Sequence, residues 1–196
     1  MNFMQSKTRE NLAKAYAGES QARGRYEFLA EKLRENGWYE ISKIVLSLVG
    51  NELAHSKVFF DLITSRSEGV VENIDIQAGY PFKVGGVVET INFAVQDEAS
   101  EYDKIYPSFA DTAEQEGFSD IARIFRQIAE IERHHANVLG ELAMKMETDR
   151  IYSSEQPRIF KCANCGHEIE GTEAWKVCPV CKHPQGFVEV ELDNRW

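Results

Sequence analysis

Glu52-Leu53-Ala54-His55 and Glu132-Arg133-His134-His135 are two copies of one step, Glu-x-x-His. Both fall where an amphipathic helix should turn an apolar residue toward its core. Each copy has a lone glutamate one helical hairpin earlier: Glu19 lies 33 residues before Glu52, and Glu98 lies 34 before Glu132. Residues i and i+3 share a helix face, so the glutamate and histidine of one step reach the same point. One Glu from each of two helices and a Glu-x-x-His from each of two others is the ligand pattern of a two-metal carboxylate site in a four-helix bundle.

The flanking residues supply the helices. Leu12, Tyr16, Glu19, Tyr26, Leu29 and Leu33 mark one face of a first helix within residues 8–66. Ile41, Val45, Leu48, Glu52, His55, Phe59 and Leu62 mark a second. The short turn signal Glu35-Asn36-Gly37-Trp38 makes the two antiparallel neighbours. Residues 87–146 repeat the arrangement, with Ile91, Ala94, Glu98, Glu101, Ile105 and Phe109 on one helix. Ile121, Phe125, Ile128, Glu132, His135, Leu139 and Leu142 lie on the other, after a turn near Glu116-Gly117-Phe118 with Ser119 as N-cap. Pro107 predicts a kink or local irregularity in the third helix. Residues 68–86, with four glycines and Pro81, read as one long crossover, the ferritin-like form of an all-α four-helix bundle. At a rise of about 1.5 Å per residue each glutamate sits roughly 25 Å from its own turn, so all meet near mid-bundle.

Glu19, Glu52, Glu98, Glu101 and Glu132 thus occupy core-facing positions with His55 and His135. Burying one uncompensated carboxylate costs several kcal/mol, and a whole domain is stable by only ~5–15 kcal/mol. A mis-phased helix with its glutamates in solvent would explain any single position, but not seven in a near-repeat. Cations must offset the charge. Hard carboxylates with one imidazole per metal suit iron or manganese. Glu52 and Glu132 are the natural bridges between ions about 3.5–4 Å apart. Glu101, one turn after Glu98, adds an oxygen ligand to one of them. Tyr26 and Tyr106, seven and eight residues after Glu19 and Glu98, either hydrogen-bond those carboxylates or simply pack. His134 lies one step off the seam.

The pattern changes after residue 147. Residues 1–147 form the bundle, residues 148–158 read as a linker, and residues 159–196 are too few to fold on an apolar core alone. The last segment carries Cys162-Ala163-Asn164-Cys165 and Cys178-Pro179-Val180-Cys181, two Cys-x-x-Cys knuckles 12 residues apart. That spacing predicts a tetrahedral four-thiolate site and leaves the metal open, since zinc can take the same place as iron. A disulfide or thioredoxin-like role suits one such pair, not two. Phe160, Trp175 and Phe187 are available to wrap the sulfurs or to serve as a minimal core.

The formal net charge of −10 excludes a basic nucleic-acid footprint and gives no support for docking on an anionic membrane. No signal peptide and no membrane span are read from the sequence, and no cysteine is left over for a bridge elsewhere. A reducing cytoplasm is the expected location.

Taken together, the chain resembles the rubrerythrins over essentially its whole length: a ferritin-like di-iron bundle followed by a C-terminal rubredoxin-like domain. The resemblance is carried by Ala17-Gly18-Glu19-Ser20-Gln21-Ala22-Arg23, Asn51-Glu52-Leu53-Ala54-His55, Glu98 and Glu101 before Tyr106-Pro107, Glu132-Arg133-His134-His135, and both knuckles. It implies an oxidoreductase of peroxidase type for oxidative-stress protection, reducing hydrogen peroxide to water. Electrons would come from NAD(P)H through rubredoxin or a rubredoxin reductase to the mononuclear Fe(Cys)4 centre and then to the di-iron centre. It further implies that Glu19, Glu52, His55, Glu98, Glu101, Glu132 and His135 hold the di-iron centre, and that Cys162, Cys165, Cys178 and Cys181 hold the single iron. One iron would shift between Glu101 and His55 as its oxidation state changes. Subunits would pair as a dimer or higher homo-oligomer, one chain's small domain serving its partner's bundle.

The sequence departs from the rubredoxin pattern at Lys182, where glycine is expected, as Gly166 follows the first knuckle. Glycine there permits a positive φ, and the sulfur hydrogen bonds of that turn tune the iron potential. The rival reading is a ferroxidase or iron-handling ferritin-like protein, for which the cysteine tail would have no purpose. A second rival is a non-enzymatic regulator with a zinc ribbon.

Overall fold

The computed structural model of the chain describes residues 2–69 and 72–193. Residue 1, residues 70 and 71 of the crossover, and residues 194–196 at the end of the small domain lie outside the described residues. Helices α1 (Lys7–Glu35) and α2 (Tyr39–Arg66) form the first hairpin. The second consists of α3 (Val87–Ser100), a π-helical turn (Glu101–Ile105), α4 (Tyr106–Glu116) and α5 (Ser119–Glu147). Residues 72–86 cross between them without regular structure.

Local chemistry sets the helix ends. Ser6 caps α1 by accepting the Arg9 N–H at 3.1 Å. The Glu116 carboxylate accepts the Lys7 and Thr8 N–H groups at 2.9 and 2.8 Å. A negative charge thus sits on the positive end of the α1 dipole and ties the second hairpin to the first. Gly37 and Gly117 take φ of 82° and 87° in the two hairpin turns, where a Cβ would be strained. Ser119 is not the N-cap expected of it. Phe118 occupies that position, and the Ser119 hydroxyl donates to Glu114.

The third helix is broken where Pro107 predicts trouble. Proline has no N–H to return to the preceding turn, and the π turn ends immediately before Tyr106-Pro107. The wider turn shifts the helical phase. Beyond it the buried face is Tyr106, Ala110 and Ala113, whereas Ile105, expected inward, is 37% exposed. Tyr16, also expected in the core, is 41% exposed and rests against Phe60 on the outer surface.

Two apolar layers fill the bundle. One contains Leu29, Leu33, Ile41, Val45, Ile91 and Leu142. The other contains Leu12, Phe59, Tyr106, Ile121 and Phe125. Between them lies a layer in which Glu19, Glu52, Glu98, Glu132 and His135 are at most 1% exposed and His55 is 6% exposed. Among the described residues no helix is long and apolar enough to cross a membrane.

The small C-terminal unit has an antiparallel hairpin, β1 (Ser153–Lys161) and β2 (Glu168–Glu173). β1 begins within the stretch read as linker. Just before it, Ile151 enters the first apolar layer and Tyr152 stacks on Trp38 with ring centroids 5.5 Å apart. Val190 and Leu192 return to the same layer, and the Asp193 N–H donates to buried Glu141 at 2.9 Å. Gly186 lies against the Gly37 carbonyl so closely that a Cβ would come within 1.7 Å of the oxygen. The unit is seated on the α1–α2 end of the bundle.

Candidate metal centres

The carboxylate layer resolves into two overlapping groups. Glu19, Glu52, His55 and Glu132 bring ligand atoms within 4.8 Å of one another, and so do Glu52, Glu98, Glu132 and His135. His55 Nδ1 lies 2.9 Å from Glu132 Oε1, 3.6 Å from Glu19 Oε2 and 3.7 Å from Glu52 Oε2. His135 Nδ1 lies 2.7 Å from Glu132 Oε2, 3.0 Å from Glu52 Oε1 and 3.7 Å from Glu98 Oε2. Glu52 and Glu132 therefore turn one oxygen to each histidine. That is the disposition of two bridging carboxylates.

The two tyrosines extend this symmetry. Tyr26 on α1 donates its hydroxyl to Glu98 on α3, and Tyr106 on α4 donates to Glu19 on α1. The lone glutamate of each hairpin is thus oriented by the tyrosine of the other. Of the two readings the sequence left open for these residues, the structure selects the hydrogen bond. The rings also pack, Tyr106 lying 5.9 Å from Phe125.

Burial and mutual repulsion dominate the electrostatics. Burial pushes the Glu19 and Glu101 carboxyls well above the usual range, helped by neighbouring carboxylates. It pushes Glu98 up to about 8. Burial alone would discharge the imidazoles, yet the surrounding carboxylates outweigh it and hold His55 and His135 up to about 12. Burial also opposes charge on Glu52, but its contacts with both histidines bring it below the usual range. Without cations this layer must hold protons, because one low-dielectric site cannot keep so many carboxylates ionised.

The layer fits a pair of cations. Glu19 Oε2, Glu98 Oε2, His55 Nδ1 and both oxygens of Glu52 and Glu132 are buried without a conventional hydrogen bond. Buried polar atoms are otherwise almost always satisfied. These all converge on one place, as ligands of a common pair of ions do. Carboxylate oxygens with one imidazole nitrogen per group are a donor set that suits iron or manganese.

Glu101 stands beside the groups and belongs to neither. It opens the π turn and is half-buried, whereas the other four glutamates are sealed. With Tyr106, Gly18 and Tyr80 it lines a cavity of about 560 Å³ beneath the crossover. That opening is what sequence reasoning missed, since the crossover carries no periodicity to place it. His134 also stays outside both groups.

The four cysteines form a second cluster. The Cys162–Cys181 and Cys165–Cys178 sulfurs are 3.7 Å apart, far beyond a disulfide bond of ~2.05 Å. A tetrahedron with metal–sulfur bonds of ~2.3 Å has edges of about 3.8 Å, so the spacing fits a four-thiolate metal. The knuckles mirror each other. The Gly166 N–H reaches the Cys162 carbonyl at 2.8 Å, and the Lys182 N–H reaches that of Cys178 at 3.0 Å. Gly166 has φ 75° and Lys182 φ 63°, so lysine does adopt the conformation that favours glycine. The His183 N–H lies on Cys181 and holds its thiol down to about 5. Phe160 is fully buried in the small core with Trp175 against it, while Phe187 instead packs outward on Tyr39 at 4.5 Å.

Comparison with known proteins agrees with both centres. The rubrerythrin family model matches residues 10–143 and 89–169, and the model for the rubrerythrin rubredoxin-like domain matches residues 160–188. The chain is 40% identical to rubrerythrin-1 of Clostridium acetobutylicum over 191 residues, covering 96% of each. It is 34% identical to the rubrerythrin of Nitratidesulfovibrio vulgaris, covering 97% of each. Among solved structures, partially reduced nigerythrin aligns with a TM-score of 0.62 at 24% identity, covering 97% of this chain and 94% of that one. A Desulfovibrio desulfuricans bacterioferritin aligns at 0.65 and 20% identity over 74% and 82%, sharing the bundle fold. With a carboxylate–histidine site for two irons and a four-cysteine site for a third, the chain belongs to the rubrerythrin family of iron-dependent oxidoreductases.

Proposed function

We propose that the protein is a non-haem di-iron peroxidase that reduces hydrogen peroxide to water in the cytoplasm. Glu19, Glu52, His55, Glu98, Glu132 and His135 hold the iron pair, with Glu101 as a further oxygen ligand, and the four cysteines hold the single iron. The observation that carries this reading is the pairing of Glu52 and Glu132, each with one oxygen toward each histidine, in a chain that also has a four-thiolate site.

The reaction consumes two electrons and two protons per peroxide and yields two waters. Two ferrous ions would supply both electrons and polarise the O–O bond. The protein residues do the rest. Tyr26 and Tyr106 fix the outer glutamates, and burial against those carboxylates keeps both hydroxyls protonated. The apolar layers above and below exclude water from the other faces. The cavity beside Glu101 is the opening through which peroxide reaches the layer. Glu101 lines that opening, so its carboxylate is the one of the set nearest to arriving peroxide and to protons from solvent.

Electrons enter through the cysteine site, reduced by rubredoxin or an NAD(P)H-dependent rubredoxin reductase. In one chain that unit sits at Gly37 and Tyr39, and Glu52 lies 13 residues further along α2, about 20 Å away along the helix. Tunnelling falls exponentially with distance, so this separation supports a homo-oligomer in which one subunit's cysteine site serves its partner's iron pair. The test is anaerobic reduction followed by stoichiometric hydrogen peroxide. Oxidation of the bundle irons by one peroxide per pair, with the thiolate iron following, is expected. Bundle irons that stay ferrous would refute the peroxidase assignment.

A further inference from the structure

Asn51 immediately precedes Glu52 on α2, and its side-chain amide lies 3.1 Å from Nε2 of His135. The other ring nitrogen, Nδ1, faces Glu132 and Glu52 at 2.7 and 3.0 Å. A neutral imidazole carries one proton. An ion held at Nδ1 needs the lone pair there, which leaves the proton on Nε2 and aimed at Asn51. An amide presenting its NH2 group would set donor against donor. Turned by half a rotation it offers Oδ1 and accepts, and the two orientations have the same shape.

The internal repeat supplies a contrast. The position matching Asn51, one residue before the second Glu-x-x-His, is Ile131. Its side chain has neither donor nor acceptor, so that position cannot give His55 the same support. The asymmetry extends to burial: His135 is 0% exposed and His55 is 6% exposed.

We propose that Asn51 is a positioning residue: its Oδ1 accepts the Nε2 proton of His135, fixes the tautomer and ring orientation, and makes the Glu52–Glu98–Glu132–His135 half of the site the tighter holder of iron. The inference rests on the di-iron reading above and adds which half is anchored. Supports of this kind orient the ligating nitrogen and raise its basicity, and losing one typically weakens metal binding about 10- to 100-fold.

The test uses full-length protein loaded with ferrous iron under anaerobic conditions and challenged with a chelator. Wild type should release its bundle irons in two phases, one fast and one slow. Asn51→Leu, close in size but without an acceptor, should accelerate the slow phase about 10- to 100-fold and leave the fast phase unchanged. Its Mössbauer spectrum should change for one of the two ferrous ions. Asn51→Asp keeps the acceptor and should restore slow release, which a packing role would not produce. Wild-type release rates in Asn51→Leu, or equal behaviour of the Leu and Asp variants with circular dichroism reporting native helix, would overturn the proposal alone. A wild-type bundle that binds no iron would instead end the di-iron reading, and the proposal with it.

Discussion

Tyr106 reaches across the bundle from α4 to donate its hydroxyl to Glu19 on α1. The bond crosses from the second hairpin to the first, and Tyr26 returns it by donating to Glu98. Each hairpin thus orients the lone glutamate of the other. The helices pay for this order with buried charge, so the site and the fold share one electrostatic problem.

Removing either hydroxyl should expose that coupling. Tyr26→Phe leaves a Glu98 oxygen buried without its donor, at a cost of about 1–3 kcal/mol. Tyr106→Phe does the same to Glu19. Urea unfolding of the metal-free protein should register that loss, and chelator competition should register iron binding weakened about 10- to 100-fold.

Stability should depend on pH in opposite senses with and without iron. In the metal-free protein Glu98 rises from 4.5 to about 8, with Glu19 and Glu101 moving the same way. A carboxyl with raised pKa binds its proton more tightly when folded. Its contribution is full below pH 4.5 and is lost as pH climbs through about 8. His55 and His135, raised from 6.5 to about 12, also lose theirs on the way up. Thermal melts of metal-free protein should therefore fall by more than about 5 °C between pH 4.5 and 8. Iron-loaded protein should weaken instead as pH drops, because protons then compete for the ligands.

Glu101→Ala should leave the helix content nearly unchanged, since Glu101 is half-buried at the cavity rather than part of the apolar core. Peroxide turnover should slow about 10- to 100-fold. Steady-state rates measured with a rubredoxin reductase decide the matter, and unchanged rates would make the residue dispensable.

Lys182→Gly should relieve the left-handed strain at the second knuckle. An L-residue there costs roughly 1–2 kcal/mol, and glycine gives part of that back through its freedom in the unfolded chain. A net gain of about 1 kcal/mol follows, seen as a higher midpoint for thermal loss of the ferric-thiolate absorption.

The four-rod bundle, its hairpin partners and six of the seven polar core positions were legible because helical periodicity and the internal repeat point the same way; the seventh, Glu101, opens the π turn and lies half-buried beside the layer. The cysteine spacing was equally plain, and the φ of 63° at Lys182 follows from its matching the Gly166 place in the mirrored knuckle turn. Three features were not legible. The π turn at Glu101–Ile105 breaks the period on which the face of Ile105 was read. Tyr16 has helical spacing but is 41% exposed beside Phe60, because exposure depends on which neighbour covers a face. The seating of Gly186 on Gly37 is a contact between segments remote in sequence, and no local pattern encodes it.

The most direct test of the account is the metal content of protein produced with ample iron. The prediction is about three irons per chain, a coupled pair and a single ferric-thiolate centre distinguishable by Mössbauer spectroscopy in a two-to-one ratio. Protein that folds with an ion-free bundle, or carries only zinc in both sites when isolated natively, would contradict it.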